Sequence, residues 1–230
     1  MADPLRIVLA GSGRMGSSIA AEASRRDGIE IAATWERGGN LEELARAADV
    51  VIDFTLPEAT GEVLAAVVAA DRPLVCGVSG HDDAGLAALE ASSSSIPLVY
   101  DRNMSQGITL LDVLLRSAAG ALGPEFSVSI AETHHVHKKD APSGTALKLG
   151  EAITAAGGVA ADEIRYSSAR RGEVPGVHTV TFESPTEKLS FEHSVTTRDV
   201  FAVGALRAAR WVAYGRAPGL YSMRDVLFGE

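Results

Sequence analysis

Leu5-Arg6-Ile7-Val8-Leu9-Ala10-Gly11-Ser12-Gly13-Arg14-Met15-Gly16 sets the reading of the N-terminal half of this chain. A short apolar run ends in a G-x-G-x-x-G loop, and helix-forming residues follow. The glycines permit a tight turn and a close backbone approach to a pyrophosphate. The helix start beyond them offers free N–H groups and the positive end of a dipole. Alone the motif is weak, since a glycine-rich turn can exist without a ligand. It gains weight from Glu36, twenty residues past Gly16 at the end of the next apolar run. A carboxylate there can hold the ribose hydroxyls of a dinucleotide. Arg37 follows at once and is placed either to pair with a 2′-phosphate or to stand in solvent as a surface arginine. In the first case the Glu36-Arg37 pair leaves both NADPH and NADH open as cofactors.

Outward from this loop, apolar runs and helical stretches alternate through the first hundred residues. Leu5–Ala10, Ile29–Thr34, Val50–Phe54, Leu74–Val78 and Ile96–Tyr100 read as strands; Ser17–Arg26, Leu41–Ala48, Ala59–Ala70 and Asp83–Ala91 read as helices. Continuous apolar strands are expected where both faces of a parallel sheet are covered. The alternation predicts an α/β fold, a Rossmann-like doubly wound parallel sheet. Ligands of such sheets bind outside the carboxyl ends of the strands, which brings forward Gly77-Val78-Ser79, Asp101-Arg102-Asn103-Met104 and Asp53–Glu58. After Met104 the pattern changes. A helix over Gln106–Ala121 leads to a strand, Phe126–Glu132, a polar loop, Thr133–Gly144, and a helix from Thr145 to about Ala156. Strands near Ile164–Arg171, Val177–Glu183 and Leu189–Val195 follow, the last two as a hairpin around a five-residue loop, Ser184–Lys188. A helix over Asp199–Tyr214 and the tail Gly219–Leu227 close the chain. These elements predict a smaller α+β domain with a mixed sheet.

Composition narrows the class. The net charge of −9 excludes a nucleic-acid partner that needs a basic face. No apolar run reaches the roughly 20 residues of a membrane span, and the segment from Met1 to Ala10 lacks a basic leader and reads as a strand. The single cysteine, Cys76, lies in an apolar run and fits a reducing cytoplasm as a buried thiol.

Against that acidic background one basic island stands out. His134, His135, His137, Lys138 and Lys139 fall within six residues, and the segment runs on through Asp140-Ala141-Pro142-Ser143-Gly144-Thr145 into a helix. A solvated charged loop would not explain that ending. A metal site built on the three histidines is opposed by the adjacent lysines, so no metal is expected. A substrate site is the better reading: Ser143-Gly144-Thr145 forms an anion-binding helix start beside a cationic loop, which suits a small dicarboxylate. Crowding by Lys139 and the histidines would help Lys138 release a proton.

The stretch Glu132 to Ala146, Glu-x-His-His-x-x-Lys-x-Asp-Ala-Pro-Ser-Gly-Thr-Ala, resembles the signature of the 4-hydroxy-tetrahydrodipicolinate reductase (dihydrodipicolinate reductase) family. Asp53-Phe54-Thr55, Gly77–Gly80, Asn103-Met104-Ser105 and the tail Gly219–Leu227 are similar to further family segments. The resemblance implies that His134 is the catalytic acid/base and Lys138 the proton donor, with His135, Gly144 and Thr145 on the substrate. It implies that Gly11, Ser12, Gly13, Arg14, Met15, Gly16, Glu36, Arg37, Gly77, Val78, Ser79, Asp101, Arg102, Asn103 and Met104 bind NADPH or NADH. It also implies a dinucleotide-binding domain of residues 1–104 and 205–230, a substrate-binding and oligomerisation domain of residues 105–204, and a cytoplasmic homotetramer. The expected reaction is reduction of a cyclic imine in the diaminopimelate route to lysine. The chain departs from the family in a glycine loop one residue shorter, in short stretches after Arg37 and Ala156, and in Val78-Ser79 and Asp101-Arg102. Two other readings stay open here: a dehydrogenase of an amino or imino diacid, such as aspartate dehydrogenase, and a non-catalytic NAD(P)H sensor, which would have no need of His134 and Lys138.

Overall fold

In the computed structural model, which describes residues 3–157 and 159–229, strand β1 (Leu5–Ala10) feeds two cores at once. Ile7 and Leu9 point into one and Val8 and Ala10 into the other. The same alternation recurs in β3 (Val50–Asp53), β4 (Leu74–Cys76) and β5 (Pro97–Tyr100), so apolar runs without polar interruption are what a sheet covered on both faces requires. Met1, Ala2, Gly158 and Glu230, which fall inside ranges read from the sequence, lie outside the described residues.

The chain divides into two units. The first comprises Met1–Gln106 and Asp199–Glu230. Its six strands include β2 (Ile29–Trp35) and β10 (Gly219–Tyr221), run in the order β10-β5-β4-β3-β1-β2, and all pair in parallel. The order reverses at β1, where the glycine loop emerges, the switch point at which such sheets take their ligands. Helices α1 (Arg14–Ala23), α7 (Asp199–Ala213) and α8 (Met223–Phe228) share one core, and α2 (Leu41–Arg46), α3 (Thr60–Ala70) and α4 (Asp83–Ser93) the other. Helix starts are read by their own residues: Asn40 accepts from Glu43 N–H at 3.2 Å and Asp82 from Gly85 N–H at 2.8 Å. Helix α1 starts three residues earlier than the expected Ser17, because Arg14 to Gly16 complete its first turn. Cys76 is buried and free, and burial pushes its thiol up.

The second unit is Gly107–Arg198. Its four strands are β6 (Ser127–His134), β7 (Arg165–Arg170), β8 (Gly176–Glu183) and β9 (Lys188–Val195), in the order β7-β6-β8-β9. Only β6 and β7 are parallel, so the sheet is mixed. Helices α5 (Gln106–Leu122) and α6 (Gly144–Ala155) cover one face, packing Ile108, Leu111, Leu115, Leu149 and Ile153 on Val128, Ile130, Val180 and Phe182. The β8–β9 loop has four residues rather than five, because Lys188 already pairs with Glu183 in the ladder. Strand β6 runs two residues past the expected Glu132 and takes in His134, which is therefore a strand residue and not a loop residue. Among the described residues no helix is long and apolar enough to cross a membrane.

Candidate active site

The first unit carries a cleft of about 560 Å³ lined by Gly11, Ser12, Gly13, Trp35, Glu36, Arg37, Phe54, Thr55, Leu56 and Ala59. Two glycines shape it by necessity. Gly11 adopts φ +104, and a Cβ there would stand 3.0 Å from the Phe54 carbonyl; a Cβ on Gly16 would run into the carbonyl of Gly11. No side chain caps the start of α1, so its first N–H groups are left for a ligand's phosphate. Glu36 and Arg37 follow directly on β2 at the cleft wall. These features fit a dinucleotide.

The two further turns are built differently from one another. Gly77 N–H donates to the Asp53 carbonyl at 2.9 Å, and any Cβ at Gly77 would strike the Phe54 ring. In the other turn Asp101 Oδ1 accepts from Asn103 N–H at 3.1 Å, and Asn103 Oδ1 accepts from Ser105 N–H at 2.9 Å. The side chains of Val78 and Met104 are core residues, 3% and 1% exposed. Only their backbone can face a ligand. Asp53, also buried, accepts from Thr55 N–H and Oγ1, and burial nevertheless raises its carboxyl above the usual range.

In the second unit the inner face of the sheet changes character along the strands. Its far end is apolar. At the other end a polar row crosses all four strands in register: Ser168, Glu132, His178 and His193. His134 lies two residues beyond Glu132 on the same face, 7% exposed, and pairs with Arg170 on β7. Its Nδ1 is hydrogen-bonded to Glu132 Oε2, while Glu132 Oε1 accepts from Arg170 Nη1 at 3.0 Å. Burial would raise the Glu132 carboxyl, but hydrogen bonds from Ser168 and Arg170 and the nearby His134 outweigh it and hold Glu132 ionised. Burial lowers His134 below its ordinary value, against the opposing pull of Glu132. The ring of His178 meets that of His134 edge-on at 5.0 Å, and His178 Nε2 lies 3.1 Å from Ser143 Oγ. Burial pushes His178 down to about 4, so it is neutral at pH 7.

Ser143 caps α6, its Oγ accepting from Ala146 N–H at 3.1 Å. Gly144 and Thr145 are the first two residues of that helix. Lys138 Nζ sits 2.8 Å from Asp140 Oδ2. The expectation of like-charge crowding therefore gives way to an ion pair between residues two apart, just past the turn in which Lys138 N–H donates to the His135 carbonyl at 3.2 Å. Lys138 first, and more weakly the backbone N–H of Gly144, hold the Asp140 carboxyl below its ordinary range, so Asp140 lies beside two groups expected at the substrate. His135 Nε2 lies 3.0 Å from Arg198 Nη2, and its Nδ1 is buried without a partner. His137 is more peripheral: its ring lies 6.1 Å from that of His135, and it makes an exposed 3.4 Å contact with Glu173.

Glu132, Arg170, His178 and Arg198 were not singled out from the sequence, although Glu132 opens the quoted signature. The signal for Glu132, Arg170 and His178 is register, which places them around His134 but cannot be read along one strand; Arg198 lies outside the strands and meets His135 instead. Glu132, His134 and His178 are also, among the described residues, three donors whose ligand atoms lie within 4.8 Å of one another. Glu132 is already engaged on both oxygens, which makes Arg170, Glu132 and His134 a hydrogen-bond chain with the His178 ring edge-on against its end.

Comparison with known proteins gives consistent matches. Residues 5–104 match the family model described as dihydrodipicolinate reductase, N-terminus, and residues 107–227 the one described as dihydrodipicolinate reductase, C-terminus. The chain is 39% identical to the 4-hydroxy-tetrahydrodipicolinate reductase of Alkalilimnicola ehrlichii, covering 96% of this chain and 98% of that one. It is 41% identical to that of Xanthomonas campestris pv. campestris, covering 97% and 98%. In fold it is similar to a dipicolinate-bound dihydrodipicolinate reductase from Paenisporosarcina sp. TG-14, with a TM-score of 0.81, 21% identity and coverage of 98% and 99%.

Proposed function

Because the chain belongs to the dihydrodipicolinate reductase family, we propose that it reduces 4-hydroxy-tetrahydrodipicolinate, or the dihydrodipicolinate derived from it, to tetrahydrodipicolinate with NADPH or NADH. This places it in the diaminopimelate route to lysine. The observation that carries the reading is the second unit's polar strand end. There a carboxylate-held histidine, a lysine and a helix start all come from the one segment Glu132–Ala146.

In this reading residues 1–104 and 205–230 bind the dinucleotide and residues 105–204 the substrate. Gly11 to Gly16 receive the pyrophosphate, Glu36 and Arg37 the adenosine ribose, and the backbone of Gly77–Ser79 and Asp101–Met104 the nicotinamide end. NADPH or NADH, when bound, would supply the hydride for reduction of the conjugated imine. Addition leaves negative charge on the ring, and cations near it stabilise the transition state. Lys138 donates the proton that completes the reduction, and His134 serves as the acid/base through Nε2, since Nδ1 is engaged by Glu132. Gly144 N–H, Thr145 and His135, with Arg198 beside it, hold the two substrate carboxylates.

The protein works as a cytoplasmic homotetramer in this proposal, assembled through the sheet of the second unit. On the face turned away from the helices, β6 and β7 present Ser127, Ser129, Ala131, Thr133, Ser167 and Ala169, small side chains that let another sheet approach closely, with the charged Arg165, Glu183, Lys188 and Glu192 around them. The test is the fall in NADPH or NADH absorbance when the product of dihydrodipicolinate synthase is added to the full chain. Consumption of either cofactor supports the reading; none with both overturns it.

A further inference from the structure

Arg170 makes three contacts that no other side chain of the second unit combines among the described residues. Its Nη1 donates to Glu132 Oε1 at 3.0 Å, its Nε to the carbonyl of Lys138 at 3.1 Å, and its Nη2 to the carbonyl of Asp140. Glu132 in turn holds Nδ1 of His134. A single guanidinium thus ties the carboxylate behind one proposed proton-handling group to the backbone that carries the other. The planar fork of an arginine can serve such divergent acceptors, whereas an ammonium cannot hold them in fixed directions.

We propose that Glu132 and Arg170 are positioning residues of the reaction: Glu132 fixes the imidazole of His134 with Nδ1 as its donor, and Arg170 sets that pair and the Lys138 loop in one frame. The inference rests on the reading of His134 and Lys138 given above. Nδ1–H donation leaves Nε2 as the nitrogen that exchanges a proton, and the ionised carboxylate stabilises the imidazolium whenever the ring is charged. The groups facing His134 are Glu132 from its own strand, Arg170 from β7, His178 from β8 and Lys138 from the loop. Two of these carry opposite charge, so their removal must act in opposite directions.

The experiment follows ¹⁵N-labelled histidine in the full chain through a pH titration, without substrate, and measures turnover separately. Glu132→Gln removes the anion and should move the His134 midpoint to lower pH, by about one unit for a charge in direct contact. Arg170→Gln removes the cation and should move it to higher pH. Arg170→Lys keeps the charge but loses the fork, and should lower kcat about tenfold while the KM for NADPH stays near wild type. Midpoints that stay put, or that shift in the same direction, overturn the role of Glu132 and Arg170 at His134. Wild-type kcat in Arg170→Lys overturns the shared frame. A chain that consumed no NADPH would sink the proposed reaction instead, and the opposed titration shifts would still decide this inference.

Discussion

The Cβ that Gly176 lacks would stand 3.1 Å from Nε2 of His134. A glycine at the start of a paired strand is costly unless something must come close to its backbone, and here the imidazole does. Alanine at 176 needs no forbidden backbone angle, since this glycine does not lie at positive φ. The imidazole must instead give way, which disturbs its hydrogen bond to Glu132. Gly176→Ala should therefore lower kcat roughly tenfold or more, as expected when a proton-transfer group is displaced, and leave the thermal midpoint within a few degrees. Steady-state kinetics beside a melting curve checks both halves.

His178 links acidity to stability. It is 4% exposed, and its folded value lies near 4 against an ordinary 6.5. Between those values the unfolded chain binds the proton and the folded chain does not. Its contribution to stability is thus present above pH 6.5 and lost as pH falls toward 4. By pH 5 the loss should reach about 2 kcal/mol. Urea unfolding at pH 7 and pH 5, on the wild type and His178→Gln, should show the wild type losing more by about that amount.

Arg37 should read the 2′-phosphate. In the cleft wall it adjoins Glu36, whose carboxylate favours a ribose hydroxyl and repels a phosphate. Activity is expected with both cofactors. Arg37→Ala should weaken NADPH by about 1–3 kcal/mol, the worth of one charged hydrogen bond, and leave NADH nearly unchanged. Equal losses in kcat/KM for the two cofactors would remove Arg37 from phosphate recognition.

Asp140 competes with the substrate. Its carboxylate binds Lys138 Nζ and lies beside the Gly144 N–H, two donors proposed for the substrate. The ion pair is partly exposed, so its own worth is small. Asp140→Asn should nonetheless free positive potential for a dianion and tighten pyridine-2,6-dicarboxylate by roughly three- to tenfold. Calorimetric titration at two salt concentrations measures this, and weaker binding in the variant would contradict it.

The N-terminal half was legible because its signals are local. Apolar runs such as Leu5–Ala10 and Val50–Asp53, with a G-x-G-x-x-G between strand and helix, specify a parallel two-faced sheet without reference to distant residues. What escaped depends on pairing between segments far apart in sequence. Strand β10 is three residues long, too short for a periodic signal, and earns its place by pairing with β5. Arg170 looks like a surface residue until the register of β6 and β7 sets it opposite His134. The sequence alone reads His134 as a loop residue, because polar residues crowd there. The ladder continues through Thr133 since that end of the inner face is a polar row rather than core.

The first unit is interrupted in sequence. Its sheet gains a sixth strand only from Gly219–Tyr221, and one of its cores takes Ala202, Leu206, Val212 and Met223 from beyond the second unit. On a ribosome the glycine loop emerges before the second unit, and the residues that finish its sheet emerge after it. The inserted residues 107–198 have all their strands in hand sooner. The nascent chain must then carry a bare apolar sheet face through most of its synthesis, an interval in which chaperone capture and premature association between chains compete with folding.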